Sequence, residues 1–248
     1  MKKFNIPNSM NNNKKILVSG GNGQFANELK KHNKNYDIFC LSKKEMNVVD
    51  LVSLKRHIKK ISPDYFIHAG ALTRPMVLHE EEPETSVKSN IIGTANVVLA
   101  CMEHNLKLIY ISTDYVYPGI DGNYSEKDYL KPFTKYGWSK LGGECAVMLY
   151  NNHLILRMAM NEKPFPHPKA LVDMKKSLIY IEDAAKITFE LLDETGIINV
   201  GGKSQSVYDF VSKTNKNIKK ISLSDINDVG MAKDCSMNTN KLEQIIND

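Results

Sequence analysis

The sequence predicts an α/β fold built on a doubly wound parallel sheet, with a small, trimmed C-terminal lobe. Three observations predict it. Short apolar runs, the length of buried strands, alternate with helix-length amphipathic segments between residues 14 and 157. The first of these runs ends in the glycine-rich stretch "SGGNGQFA" at a helix start. Past Arg157 the alternation weakens into a proline-punctuated loop, residues 158–177, with no linker rich in Pro, Gly or Ser. The chain therefore divides into a short tail at 1–13, a Rossmann-type nucleotide-binding domain at 14–157, and a lobe with late sheet elements at 158–248.

The elements follow in order. "KKILVSG" (14–20) reads as a buried strand, and "GQFANELKKHN" (23–33) has helical apolar spacing. "YDIFCLS" (36–42) is the second strand, "LVSLKRHIKKI" (51–61) an amphipathic helix, and "DYFIHAGA" (64–71) the third strand. Residues 83–105 read as one long helix opened by Pro83. "LKLIYIST" (106–113) is the fourth strand, followed by a long loop and a helix over 131–151. "HLILR" (153–157) and "GIINVGG" (196–202) are the remaining sheet strands. "LIYIEDAAKITFELLDE" (178–194) is a brief strand and a helix, and "SVYDFVSKTN" and "TNKLEQII" are short helices.

Composition excludes several classes. The chain of 248 residues is 42% hydrophobic and 25% charged, ordinary for a globular protein. No apolar run is long enough for a membrane span. The amino-terminal "MKKFNIPNSMNNNKK" lacks an apolar signal core and reads as a flexible tail. The net charge of +5 comes from scattered lysines without interleaved aromatics, which argues against nucleic acid. Four cysteines far apart, with no C-x-x-C, read as reduced, mostly buried thiols of a cytoplasmic protein. His and Cys show no metal-ligand spacing, so no metal is expected.

The glycine loop and the second strand define a cofactor site. Gly20, Gly23 and Ala26 stand in G-x-x-G-x-x-A spacing, which lets a pyrophosphate approach backbone and the free N–H groups of a helix start; Gln24 and Phe25 open that helix. An NAD site usually has an acid at the end of the second strand for the ribose 2′-hydroxyl. Here the stretch is "CLSKKE". Ser42 and Lys43 suit a 2′-phosphate better, so NADP(H) is preferred and NAD(H) remains possible. Asp50, next to Leu51, has two readings: an acceptor for the adenine amino group, or an N-cap for the following helix.

The catalytic candidates lie further on. Tyr136 and Lys140 in "TKYGWSK" are i and i+4, on one helix face. A free phenol has a pKa of about 10, and a nearby ammonium favours the phenolate. Ser112 and Thr113 in "ISTDY" place hydroxyls at the preceding strand end, where one could hold a substrate carbonyl.

At these residues the chain resembles the extended short-chain dehydrogenase/reductase superfamily, and within it the dTDP-4-dehydrorhamnose reductase-like sugar-nucleotide reductases. "GGNGQFANEL", "PDYFIHAGALT", "NIIGTANVV", "YISTDYVYPGIDGNYSEKDYLKPFTKYGWSKLGGE" and "YIEDAAK" carry the resemblance, in family order, over roughly residues 14–202. The resemblance implies that Thr113 orients the carbonyl, Tyr136 protonates it, and Lys140 binds the nicotinamide ribose. It also implies that Ala69, Gly70 and Ala71 pass along the cofactor and that Asn90 braces the site. Asp114 and Tyr115 would face the substrate. Related 4,6-dehydratases carry a glutamate where this chain has Tyr115, so carbonyl reduction is preferred over dehydration, and C4 epimerization with bound NAD stays open. In this superfamily the helices at 83–105 and 135–151 often pair across a dimer, so a homodimer is expected.

The chain departs from full-length relatives between Arg157 and "SLIYIEDAAK", where a longer substrate insertion is usual. Arg74 and Arg157, two of only three arginines, are the candidates for a substrate pyrophosphate. The trimmed lobe keeps a second class open: superfamily members that bind NADP without confirmed turnover, such as the regulatory subunit of methionine adenosyltransferase.

Overall fold

The computed structural model describes residues 13–226 and 232–247. The expected tail at 1–13 lies, but for its last residue, outside the described residues. β1 (Lys15–Ser19), β2 (Asp37–Leu41), β3 (Tyr65–His68), β4 (Lys107–Thr113), β5 (His153–Met158) and β6 (Gly196–Val200) form one sheet in the order β6-β5-β4-β3-β1-β2. Each neighbouring pair runs parallel. The doubly wound architecture is therefore present.

The strand residues explain why. In β1, Ile16 and Val18 belong to the apolar layer on one face, while Leu17 belongs to the layer on the other, and all three are fully buried. Alternate side chains point to opposite faces, so a continuous apolar run satisfies both. Helices α1 (Gln24–His32) and Ile181–Glu190 cover the first face through Phe25, Leu29, Ala184 and Ala185. α2 (Leu51–Ile61) and the helix Gly93–His104 cover the second through Leu54, Ile58, Val97 and Cys101. Each fully buried Leu or Ile contributes about 1.5–3 kcal/mol relative to exposure.

The chain passes from β1 out to β2, then back across β1 to β3. That reversal puts a switch point between β1 and β3, where doubly wound sheets bind ligands at the carboxyl ends of their strands. Ser19 and His68, the last residues of the two strands, are register partners. A third apolar cluster, including Tyr117, Tyr124, Leu171, Val211 and Cys235, forms the lobe's interior. Its pairs are short: Lys169–Leu171 with Lys219–Ile221, and Lys175–Lys176 with Gln205–Ser206. The segment expected as a loop over 158–177 thus contributes strands, too brief for a periodicity to show.

Two helices differ from the sequence expectation. The helix foreseen over 83–105 is broken into Pro83–Ser86, a π-helical turn Val87–Ile92, and Gly93–His104, with a further short helix at Val77–Glu81 before it. The wide turn coincides with Asn90, whose side chain bonds outside its own helix. The helix foreseen over 131–151 begins at Lys135, because Thr134 caps it by accepting from the Gly137 N–H at 3.0 Å. Of the cysteines, Cys101 and Cys235 are buried, Cys40 is half-buried and Cys145 is exposed. Among the described residues no helix is long and apolar enough to cross a membrane.

Candidate active site

A cleft of about 1500 Å³ runs along the carboxyl ends of the strands. Gly20, Gly23, Gln24, Phe25, Ser42, Lys43, Ala69, Gly70, Ala71, Arg74, Thr113, Asp114, Tyr115 and Tyr136 line it. Residues from five separate sequence stretches are thereby brought to one opening. At its dinucleotide end, Gly20 has φ +78°, and a Cβ there would meet the Gly70 backbone at 2.8 Å. The β1 and β3 loops touch with no room for a side chain, which leaves their backbones exposed to a ligand. Gly23 is the N-cap of α1, with no side chain capping the helix and no acid in its first turn. Its N–H groups can receive a pyrophosphate, so the residues fit a dinucleotide. His68 steadies the floor: its Nδ1 is 2.7 Å from Ser19 Oγ, which accepts the Gly70 N–H, and its Nε2 is 3.0 Å from Thr94 Oγ1. Burial, with the Lys140 charge adding to it, pulls the His68 pKa down to about 3, so the ring is neutral.

At the adenosine end the geometry corrects one expectation. The Ser42 hydroxyl does not face the cleft free to meet a phosphate; it donates to Glu45 at 2.6 Å, and the Ser42 N–H does so at 2.8 Å. The turn at Ser42–Met46 folds Glu45 back to the strand end. These bonds hold its carboxyl below the usual range. Lys43 and Lys44 remain as the cations of the rim. Asp50 is not on the cleft: it caps α2, accepting from the Ser53 N–H at 2.9 Å, and Leu51 begins that helix away from the opening.

The tyrosine-lined part of the cleft is built on β4 and the helix Lys135–Val147. That helix packs so closely on the turn after β4 that a Cβ at Gly137 would stand 2.4 Å from the Tyr115 carbonyl oxygen. Tyr136, one residue earlier, is thereby held beside Thr113 and Tyr115. Its ring meets Tyr115 edge-on at 5.9 Å and His79 at 5.1 Å. Burial raises the Tyr136 pKa well above that of a free phenol, against a lowering hydrogen bond from Thr113. Thr113 Oγ1 accepts the Tyr115 N–H at 3.3 Å and donates to Asp114 Oδ1 at 3.2 Å. Asn90 braces the whole: it accepts from the Leu72 N–H at 2.8 Å and donates to the Leu72 carbonyl and to Ser139 Oγ, each at 2.9 Å. Lys140 sits one turn beyond Tyr136 but is buried beneath the cleft, its Nζ 4.1 Å from the centre of the Tyr110 ring. Burial draws its pKa down to about 7, with Glu144 opposing.

Arg157 is the main correction. It was expected in the substrate cleft, yet it is one of the largest fully buried side chains. Its guanidinium grips Glu144 at 2.8 and 3.1 Å and donates to the Tyr117 hydroxyl at 2.9 Å. Ser112, also a candidate at the strand end, donates to the same Glu144 at 2.5 Å. Arg74 does line the cleft, paired to Glu162, which also accepts from Gln24 at 3.0 Å. Burial raises the Glu162 pKa, but Gln24 and Arg74 outweigh it and leave the group below its usual value.

Sequence reasoning missed Lys176, Glu162 and His79. None stands in a motif, and only the fold brings them to Tyr136 and the cleft. Away from the cleft, Glu28, His32 and Glu182 converge, but Lys31 and Lys186 bind the same carboxylates and supply the opposing charge.

A doubly wound sheet with a bare glycine switch point, and a buried phenol lining the same cleft, defines a dinucleotide-binding protein of the Rossmann class. Within that class, the chain belongs to the RmlD substrate binding domain family, which it matches over residues 14–161. It is 30% identical over 148 residues to a dTDP-4-dehydrorhamnose reductase of Aggregatibacter actinomycetemcomitans, covering 58% of this chain and 50% of that protein. It is 29% identical over 158 residues to methionine adenosyltransferase 2 subunit beta of Pongo abelii, covering 60% of this chain and 46% of that protein. The chain thus spans about half the length of the curated relatives it matches. Among solved structures, dTDP-4-dehydrorhamnose reductase of Bacillus anthracis in complex with NADP superposes with a TM-score of 0.84 at 25% identity, covering 94% of this chain and 92% of that one. The chain is akin to sugar-nucleotide reductases in both fold and sequence.

Proposed function

We propose that the protein reduces a keto group on a nucleotide-linked deoxysugar with NADPH. The observation that carries this reading is the placement of Tyr136 and Thr113 at one end of a cleft whose other end is a bare glycine cradle. The backbone around Gly20, Gly23 and Gly70 would hold the pyrophosphate, and Lys43 the 2′-phosphate. When bound, the cofactor supplies a hydride for the carbonyl carbon. Tyr136 gives its phenolic proton to the carbonyl oxygen, and Thr113 fixes where that oxygen sits. The similarity to dTDP-4-dehydrorhamnose reductases supports this choice of substrate class. Incubation with 4-keto-6-deoxy sugar nucleotides, following oxidation of NADPH and of NADH, tests it.

Two other readings remain. The same Tyr–Thr pair serves a C4 epimerase that keeps NAD bound. The similarity to methionine adenosyltransferase 2 subunit beta favours a regulatory subunit that binds NADP without turnover. Tight NADPH binding with no turnover of any keto-sugar nucleotide would select the regulatory reading.

Lys43→Glu is expected to weaken NADPH by about tenfold or more through the lost charge-assisted bond, and NADH much less. Titration by cofactor fluorescence reads this, and equal loss of both would remove Lys43 from the 2′-phosphate. Assembly is proposed as a homodimer. Val87, Ile92, Leu99, Met102, Trp138 and Leu149 are exposed on the helices of 87–104 and 135–147 and the turn that follows. Sedimentation should give a dimer mass, and Leu99→Asp should convert it to monomer. A monomer at every concentration would refute it.

A further inference from the structure

The start of α1 carries no acid in its own first turn, as a site for a pyrophosphate requires. An acid nonetheless reaches it from elsewhere in the chain. Glu162 follows the short strand Met160–Asn161, and one of its oxygens accepts from Nε2 of Gln24, the first residue of α1, at 3.0 Å. Its other oxygen accepts from Arg74 Nη1. All three residues line the cleft. A guanidinium and an amide converging from separate elements form the donor set of an anion site, and here the anion is the chain's own carboxylate.

The contact crosses the carboxyl edge of the sheet. Met160–Asn161 pairs with Ile179–Tyr180, which leads into the helix Ile181–Glu190 on the same face as α1. Arg74 stands on the loop after β3, which leads to the helices of the other face. The Glu162 backbone is fixed, because its N–H donates to Asn161 Oδ1 at 3.0 Å. Its side chain is 20% exposed, against 61% for Arg74. Burial alone would raise the carboxyl's pKa, but Gln24 and Arg74 outweigh it, so Glu162 is charged. Lys163, next in the chain, is turned instead to the Tyr180 ring, its Nζ 5.4 Å from the centre. Arg74 is the cation paired with Glu162 among the described residues.

We propose that Glu162 is a resident competitor for the pyrophosphate of the dinucleotide: its carboxylate occupies Gln24 and Arg74, and its side chain rotates off them when a dinucleotide enters. Carboxylate and phosphate carry the same sign and use the same donors, so they exclude one another there. Displacing the carboxylate costs part of the binding free energy at each entry and favours release. Easier release suits a cofactor exchanged at every turnover, not one kept bound.

This inference rests on the dinucleotide cleft and not on the reductase reading. Fluorescence titration of the full chain with NADPH and with NADH, at low and high salt, tests it. Glu162→Gln should tighten both cofactors by the same factor, about three- to tenfold at low salt, the effect of removing one like charge near a phosphate. The gain should shrink as salt screens it. It is equal for the two because the pyrophosphate is common to both, unlike the 2′-phosphate assigned to Lys43. Arg74→Gln should weaken both. Glu162→Ala serves if the glutamine variant does not fold, and should give the same sign. Weaker binding in Glu162→Gln is what a carboxylate that merely tied the loops together would give, and it overturns the proposal, as does unchanged binding. A gain for NADPH alone would place the carboxylate at the 2′-phosphate and overturn it too. Titration of the NADP⁺-saturated protein with thymidine diphosphate separates the other source of phosphate: a gain confined to that ligand would assign Glu162 to the substrate side and sink the inference. Tightening of both cofactors in a protein that turns over no keto sugar would support the assignment and count against the reductase reading alone.

Discussion

Tyr136→Phe is expected to lower turnover by about 10²–10⁴-fold, the usual share of a positioned acid, with NADPH affinity unchanged. The substitution deletes one oxygen and leaves the ring packing on Tyr115 and His79 in place. The glycine cradle that would hold the pyrophosphate lies on other loops, at Gly20 and Gly70. Stability should hold or rise slightly, because a buried hydroxyl is removed from a site that raises its pKa by desolvation. The effect is thus confined to proton transfer. Single-turnover oxidation of NADPH with a keto-sugar nucleotide measures it. An unchanged rate would show that another group, or water, supplies the proton, and the proposed mechanism would fail.

The sequence makes some of this site legible and hides the rest for physical reasons. Strands such as "KILVS" are apolar without interruption because both faces of a parallel sheet are covered, so composition alone marks them. The glycine loop, Thr113 and Tyr136 sit at strand ends or a helix start, positions that local pattern can assign. Lys176 cannot be found that way. It is one of many lysines, on a two-residue strand, and its meaning comes from an aspartate far away in the chain. Of the two readings open for Asp50, adenine acceptor or N-cap, the fold selects the cap of its own helix. Ser42 and Glu45 show how a single tight turn redirects a hydroxyl that spacing alone places beside a phosphate. The hydrogen-bond and ion-pair partner that the fold supplies was the missing information in each case.

Arg157→Met is expected to cost about 3–5 kcal/mol of stability, the penalty for leaving a buried charge without its partner. Arg157 and Glu144 are nearly inaccessible; the pair is joined to Ser112 and Tyr117, and Tyr117 in turn to Asn199, by hydrogen bonds of 2.5 to 2.9 Å. Removing the guanidinium strands the Glu144 carboxylate between β4 and β5 and takes a donor from the Tyr117 hydroxyl. For a chain of this size the loss corresponds to a fall in melting temperature of roughly 6–20 °C. Adding Glu144→Leu to Arg157→Met should recover much of it, since a buried ion pair replaced by apolar groups of similar volume is often near neutral. Any turnover by the surviving folded protein should change little, because Arg157 does not line the cleft. Thermal melts paired with KM for the sugar nucleotide separate the possibilities. An unchanged melting point with a large rise in KM would return Arg157 to the substrate and contradict the buried pair as its role.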